Sequence, residues 1–158
     1  FGFAQEFNGK FKVPTLQEII NLVKRESKKR GRRIGIYPET KHPTFHDSQG
    51  LSLEEPLVKT LKKNGLNSKN SPVFIQSFEQ SNLQLLRPQT TLRLILLLEA
   101  TADVSPARLA EIKTFADGIG PNTRLIVPAN ADQRATIEAK GKPAVEVVMV
   151  SLEPAART

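Results

Sequence analysis

Apolar residues at Leu16, Ile19, Ile20 and Val23 recur at the three- and four-residue spacing of a single helix face. Thr15 and Glu18 precede and overlap that stripe at capping-box spacing, and Gly31 stands where a helix stop belongs. The pattern then changes to alternation: Ile34 and Ile36 fall on one face and Gly35 and Tyr37 on the other, which predicts a strand over Arg33–Pro38. Thr40–Gly50 reads as a polar loop holding both histidines, His42 and His46. A second cycle follows. Ser52 and Glu55 have capping-box spacing, Leu53, Leu57, Val58 and Leu61 give the stripe, Gly65 the stop, and Val73–Phe78 the strand. A short helix is predicted over Glu79–Leu86, ahead of Pro88. The run Thr91–Leu98 is apolar on both faces, as a parallel strand covered on both sides must be. Pro106–Thr114 reads as a helix with proline near its start, Phe115–Ile119 as a fourth strand and Val145–Leu152 as a fifth.

Helices and strands alternate, so the fold class is α/β with a largely parallel sheet. Right-handed crossovers leave two architectures, an open doubly wound sheet or part of a barrel. The turns contain neither GxGxxG nor GxxxxGK[ST], which lowers the expectation of nucleotide binding. A closed eight-stranded α/β barrel takes about 250 residues, so this chain has the strands for roughly half of one.

At 158 residues the chain is the length of one domain, treated as residues 1–158, and it can bury a real core. With no cysteine, it has no disulfide, thiolate metal site or cysteine nucleophile. No apolar run approaches the roughly 18 residues a membrane helix needs, so no transmembrane segment is expected. The chain opens at Phe1 without an initiator methionine or a signal peptide, as a processed or partial piece would. Four aromatics, Phe1, Phe3, Phe7 and Phe11, crowd its first eleven residues and require an apolar surface to lie on.

The net charge of +7 is concentrated. Lys24–Arg33 holds seven basic residues and one acid, which leaves the rest close to neutral. Such a run serves either as a patch for phosphates or nucleic acid or as the solvated last turn of a helix, where cations complement the helix dipole. No aromatic side chain lies within it to stack on bases, and nucleic acid is not an expected partner.

The best candidate for chemistry is the end of the first strand. Residues 35, 37, 39 and 41 share a face if the strand stays extended, which puts Glu39 and Lys41 about 7 Å apart at their Cα atoms. A carboxylate there offers a hard oxygen ligand to a divalent metal, and an ammonium beside it offsets the charge of a phosphate. Sites in parallel α/β proteins lie at the carboxyl ends of strands. A salt bridge on the rim would leave the same pattern.

The segment Gly35-Ile-Tyr-Pro-Glu-Thr-Lys-His-Pro-Thr-Phe-His46 resembles the GIYPEIK-x-P-x-F-H segment of glycerophosphodiester phosphodiesterases, especially the periplasmic type. Phe11–Ile20, Leu57–Gly65, Val73–Phe78 and Phe115–Pro121 resemble further elements of that family in the same order. The likeness is strongest over residues 8–128 and describes a central portion of the family's domain, whereas residues 133–158 do not match.

The resemblance implies part of a TIM barrel and hydrolysis of glycerophosphodiesters to glycerol 3-phosphate and an alcohol, with Ca²⁺ or Mg²⁺ as cofactor. It implies that Glu39 is a metal ligand, that Lys41 lies near the phosphate and that Phe78 faces the substrate. The family's two acid–base histidines and further metal carboxylates belong to an upstream section not matched here. His42 and His46 correspond to the loop after the metal glutamate, and an exposed loop role is expected of both. The 158-residue chain alone is therefore expected to be catalytically incomplete, and a periplasmic or secreted location is expected. The remaining readings are a non-catalytic barrel module that pairs with a second copy of itself, and a binder of anionic polymers through Lys24–Arg33.

Overall fold

The computed structural model describes residues 8–126. Helix α1 spans Leu16–Arg30. It opens on the full capping box, in which the Thr15 hydroxyl accepts from the Glu18 amide and the Glu18 carboxylate accepts from the Thr15 amide. It stops at Gly31, whose left-handed φ of 60° suits glycine. Ile20 is buried, with Leu16, Ile19 and Val23 half-buried beside it.

Residues 34–40 then run parallel to strand β1 (Phe74–Ser77), joined by two isolated bridges, Ile36 to Val73 and Glu39 to Gln76. The predicted strand is present and reaches Thr40, but its ladder is interrupted. The Ile36 amide donates to Pro72 O and the Thr40 amide to Gln76 O, while Phe74 and Gln76 donate back to Ile36 O and Pro38 O. The one missing rung belongs to Pro38, which has no N–H to give.

Helix α2 (Pro43–Ser48) occupies the segment predicted as a polar loop. Its local sequence offers no side-chain cap at His42, which takes φ 49°. Its first turn is held instead by Glu79, whose carboxylate accepts from the Thr44 amide at 3.1 Å and from the Thr44 hydroxyl. Sequence periodicity cannot register a cap supplied from 35 residues away.

Helix α3 (Glu54–Lys63) buries Leu57, Val58 and Leu61 as the stripe requires, with Leu53 half-buried. The expected Ser52–Glu55 capping box does not form. Leu53 is the N-cap residue, and the Ser52 hydroxyl donates to the Glu54 and Glu55 carboxylates in place of accepting an amide. Gly65, at φ 69°, closes the helix.

Helix α4 (Gln80–Leu86), strand β2 (Arg93–Leu98), helix α5 (Pro106–Ile112) and strand β3 (Gly118–Pro121) follow. The sheet order is β1-β2-β3, all parallel, with Phe74 opposite Arg93 and Ile95 opposite Gly118. The fourth strand begins three residues later than predicted. Phe115 and Ala116 instead close the turn after α5, their amides both donating to Ile112 O, and their side chains enter the core from there. Helix α5 correspondingly ends at Ile112 and not at Thr114. The predicted strand Val145–Leu152 lies outside the described residues.

The two faces of this sheet differ. Val73, Ile75, Leu94, Leu96 and Ile119 point to the helices and are buried. By strand alternation and the same register, the opposite face holds Tyr37, Phe74 and Arg93 in one row. Glu39, Gln76 and Ile95 form the next row. Tyr37 meets Phe74 edge-on at 5.7 Å, and the Arg93 guanidinium lies 4.9 Å from the Phe74 ring centroid. Among the described residues the helices thus pack on one face of the sheet and these rows occupy the other, an arrangement consistent with a barrel segment.

Candidate functional site

The carboxyl ends of the parallel strands converge on a pocket of about 220 Å³ lined by Glu39, Thr40, Lys41, His42, Pro43, Phe78, Glu79 and Glu99. Each strand delivers its residues by the same rule, at or just beyond its last ladder position. Glu39 and Lys41 end the 34–40 segment, Phe78 and Glu79 follow β1, and Glu99 follows β2. The Lys41 ammonium stands 3.4 Å from Glu39 Oε1 and 5.2 Å from the centroid of the Phe78 ring. The Glu39 side chain is 28% exposed and that of Lys41 63%, so the pair is open to solvent from the pocket side. The structure thus brings together Glu39, Lys41 and Phe78.

His42 also lines this pocket, as the residue before α2, whereas His46 lies within α2 with its ring packed edge-on against Phe45 at 5.5 Å. Both histidines belong to a helix and its start, not to a free loop.

Two lining residues, Glu79 and Glu99, were not singled out by sequence reasoning. The signal was available for Glu99, a lone carboxylate immediately after the apolar run Thr91–Leu98. Glu79 has two roles, since its carboxylate also fixes the first turn of α2. The electrostatics of this end are acidic although the chain is basic. Loss of hydration, followed by the neighbouring charges of Glu54, Glu55 and Glu79, raises Asp47 above the ordinary carboxylate range.

The donors at this end suit a hard cation, being carboxylate oxygens with no sulfur. Among the described residues no group of three His, Cys, Asp or Glu side chains stands close enough together to hold a metal ion. Glu39 therefore fits as one ligand of a shell that these residues do not close by themselves.

A parallel α/β sheet with charged groups gathered at its strand ends is the arrangement of an α/β enzyme domain, and comparison with known proteins identifies the family. The profile of the Glycerophosphoryl diester phosphodiesterase family matches residues 2–147, and the chain belongs to that family. It is 33% identical over 156 residues to glycerophosphodiester phosphodiesterase GDPD6 of Arabidopsis thaliana, covering 84% of this chain and 41% of that protein. It is 35% identical over 125 residues to the Bacillus subtilis glycerophosphodiester phosphodiesterase, covering 75% and 39%. It is 29% identical over 143 residues to the Haemophilus influenzae glycerophosphodiester phosphodiesterase, covering 74% and 39%. The chain thus spans about two fifths of the length of the curated relatives it matches.

Proposed function

We propose that this chain forms the central part of a metal-dependent phosphodiesterase that cleaves glycerophosphodiesters to glycerol 3-phosphate and an alcohol. One observation supports the reading most: Glu39 and Lys41 stand together at the mouth of a parallel sheet, 3.4 Å apart, in a chain that belongs to the family.

Glu39 would supply one oxygen ligand to a Ca²⁺ or Mg²⁺ ion, with the other ligands coming from outside the described residues. The bound cation supplies Lewis-acid polarisation of the phosphodiester. Lys41 would place its ammonium against the phosphoryl oxygens, where it offsets the negative charge that grows in the transition state. Phe78 steadies that ammonium from the ring face and presents apolar surface to the glycerol or alcohol carbons. Proton transfer to the leaving oxygen falls to groups outside the described residues, in keeping with the upstream position of the family's histidines.

The sheet has two unpaired edges among the described residues, one along 34–40 and one along β3. We assign both to further strands of the barrel, because an apolar parallel sheet left open is prone to edge-to-edge association. A second copy of this chain is the other occupant such edges would accept.

The test is turnover of glycerophosphocholine by the full-length protein, followed as release of glycerol 3-phosphate, before and after treatment with a chelator. Activity that the chelator abolishes and that Ca²⁺ or Mg²⁺ restores supports the reading. Full activity in the presence of the chelator contradicts it.

A further inference from the structure

Glu54 is a charged residue that is only 2% exposed, in the first turn of α3, and it lies in no part of the catalytic proposal above. Burial of a carboxylate is costly unless every lone pair finds a donor. Here the donors are identifiable. The Asn82 amide donates to Glu54 Oε1, and Leu53 N–H and the Ser52 hydroxyl donate to Oε2 at 3.1 Å and 2.8 Å. Asn82, itself 2% exposed, turns its carbonyl oxygen to the Thr40 hydroxyl, which donates to it at 2.6 Å.

Thr40 is the residue between Glu39 and Lys41, so this buried chain ends on the backbone that presents both. The other polar groups of Thr40 are engaged as well. Its amide donates to Gln76 O at 3.1 Å, and its carbonyl accepts from the Ser77 hydroxyl at 3.3 Å. Ser77 Oγ in turn accepts from the Glu79 amide at 3.2 Å. The need for such a lock follows from Pro38. Because Pro38 interrupts the ladder two residues earlier, main-chain pairing alone holds the strand end by fewer rungs than an ordinary parallel strand has.

We infer that Glu54 and Asn82 are positioning residues. They lock Thr40 from beneath, through the starts of α3 and α4, and so set the direction in which Glu39 and Lys41 leave the strand. The inference rests on the functional reading above for its effect on turnover, but the lock itself is a property of the fold. A barrel site needs such a device because misplacement of a binding group by about 1 Å can cost on the order of a hundredfold in rate.

The test uses Thr40→Val, Thr40→Ser and Glu54→Gln in the full-length protein, with Ile20→Ala as a core control. Ile20 lies beside Pro72 and Val73, around a separate cavity at the opposite ends of the strands. Thr40→Val keeps the shape and removes the donor to Asn82. Glu54→Gln keeps the shape but turns one acceptor into a donor, facing Leu53 N–H and Ser52 or else Asn82, and it decides the matter should Thr40→Val not fold.

We expect Thr40→Val and Glu54→Gln to lose roughly 10–100-fold in kcat for glycerophosphocholine, as partners of binding-site groups do elsewhere. We expect KM to move by less than about threefold, because the lost positioning acts on the chemical step. Thr40→Ser should restore the rate, and Ile20→Ala should retain kcat while lowering Tm at least as much. Retention of kcat by the folded disrupting variants, or an equal loss in Ile20→Ala, overturns the inference.

Amide hydrogen exchange provides a readout independent of turnover. In the disrupting variants, exchange at the Thr40 amide, which donates to Gln76 O, should accelerate by about tenfold while the amides of β2 stay protected. Unchanged exchange at the Thr40 amide overturns the lock. If the wild-type protein has no phosphodiesterase activity, the functional reading fails, and the exchange measurement alone decides for or against the lock.

Discussion

At the scale of single residues, one pair of side chains fixes the start of α1. Thr15 and Glu18 are three residues apart, and their capping box is present with both of its bonds. Ser52 and Glu55 have the same spacing and do not form one, because the buried Glu54 draws the Ser52 hydroxyl into donating. The intact box carries a pH dependence of known sign. Hydrogen bonds from the Thr15 amide and hydroxyl hold Glu18 below the usual carboxylate range in the folded state. Its support is therefore complete above the unfolded value near 4.5 and is lost as pH falls through the lower folded value. Thr15→Ala should destabilise the protein by about 1 kcal/mol at neutral pH, since an N-cap hydroxyl typically contributes that much. In urea titrations the difference between wild type and variant should shrink on going to acid pH. A difference that grows with acid would contradict the assignment.

At the scale of elements, the strand that presents the site was legible from alternation, but its interruption was not. Only when Pro38 is set beside β1, opposite Ile75, does its missing donor leave Phe74 O without a rung and break the ladder. Gly35 has a similar hidden role. A Cβ at this position would stand 2.7 Å from the Pro72 carbonyl oxygen, which is also the acceptor of the Ile36 amide at 2.9 Å. Gly35→Ala must therefore push the 34–40 segment away from β1 at its first rung. We expect a loss of roughly 1–3 kcal/mol in denaturant unfolding, the usual cost of overpacking, together with faster amide exchange at Ile36. Wild-type stability in this variant would show that the two segments are not held so closely. Helix α2 was missed for the reason that Glu54, Asn82 and Thr40 were missed as a group. Their partners lie 28, 35 and 42 residues apart along the chain, and spacing rules reach only a few residues.

At the scale of the whole molecule, charge and chemistry are separated. The basic run Lys24–Arg33 closes α1 and leads directly into the start of the 34–40 segment, whereas Glu39 and Lys41 stand at its end. Lys24 and Arg33 bond the loops after α3, at Asn64 and Asn70, and Arg30 pairs with Glu26. Seven strand residues separate the two ends by about 20 Å, more than twice the Debye length of about 8 Å at physiological salt. Replacing Lys28, Lys29 and Arg32 together with glutamine should leave kcat/KM within about twofold at that ionic strength. A large loss would instead assign the run to substrate capture. If proton transfer falls to the family's upstream histidines, as proposed, the 158-residue chain alone should hydrolyse no glycerophosphodiester above metal-only controls, because loss of acid–base groups costs about 10²–10⁴ in rate. At the other end of the sheet, Glu39 is proposed to bind the cation and Lys41 the phosphate. The most direct measurement is calorimetric titration of the full-length protein with Ca²⁺ and Mg²⁺, comparing wild type with Glu39→Gln and Lys41→Met. Glu39→Gln is expected to lose most of its metal affinity while Lys41→Met retains it, with activity falling in both. Equal metal affinity in wild type and Glu39→Gln would show that Glu39 is not a metal ligand.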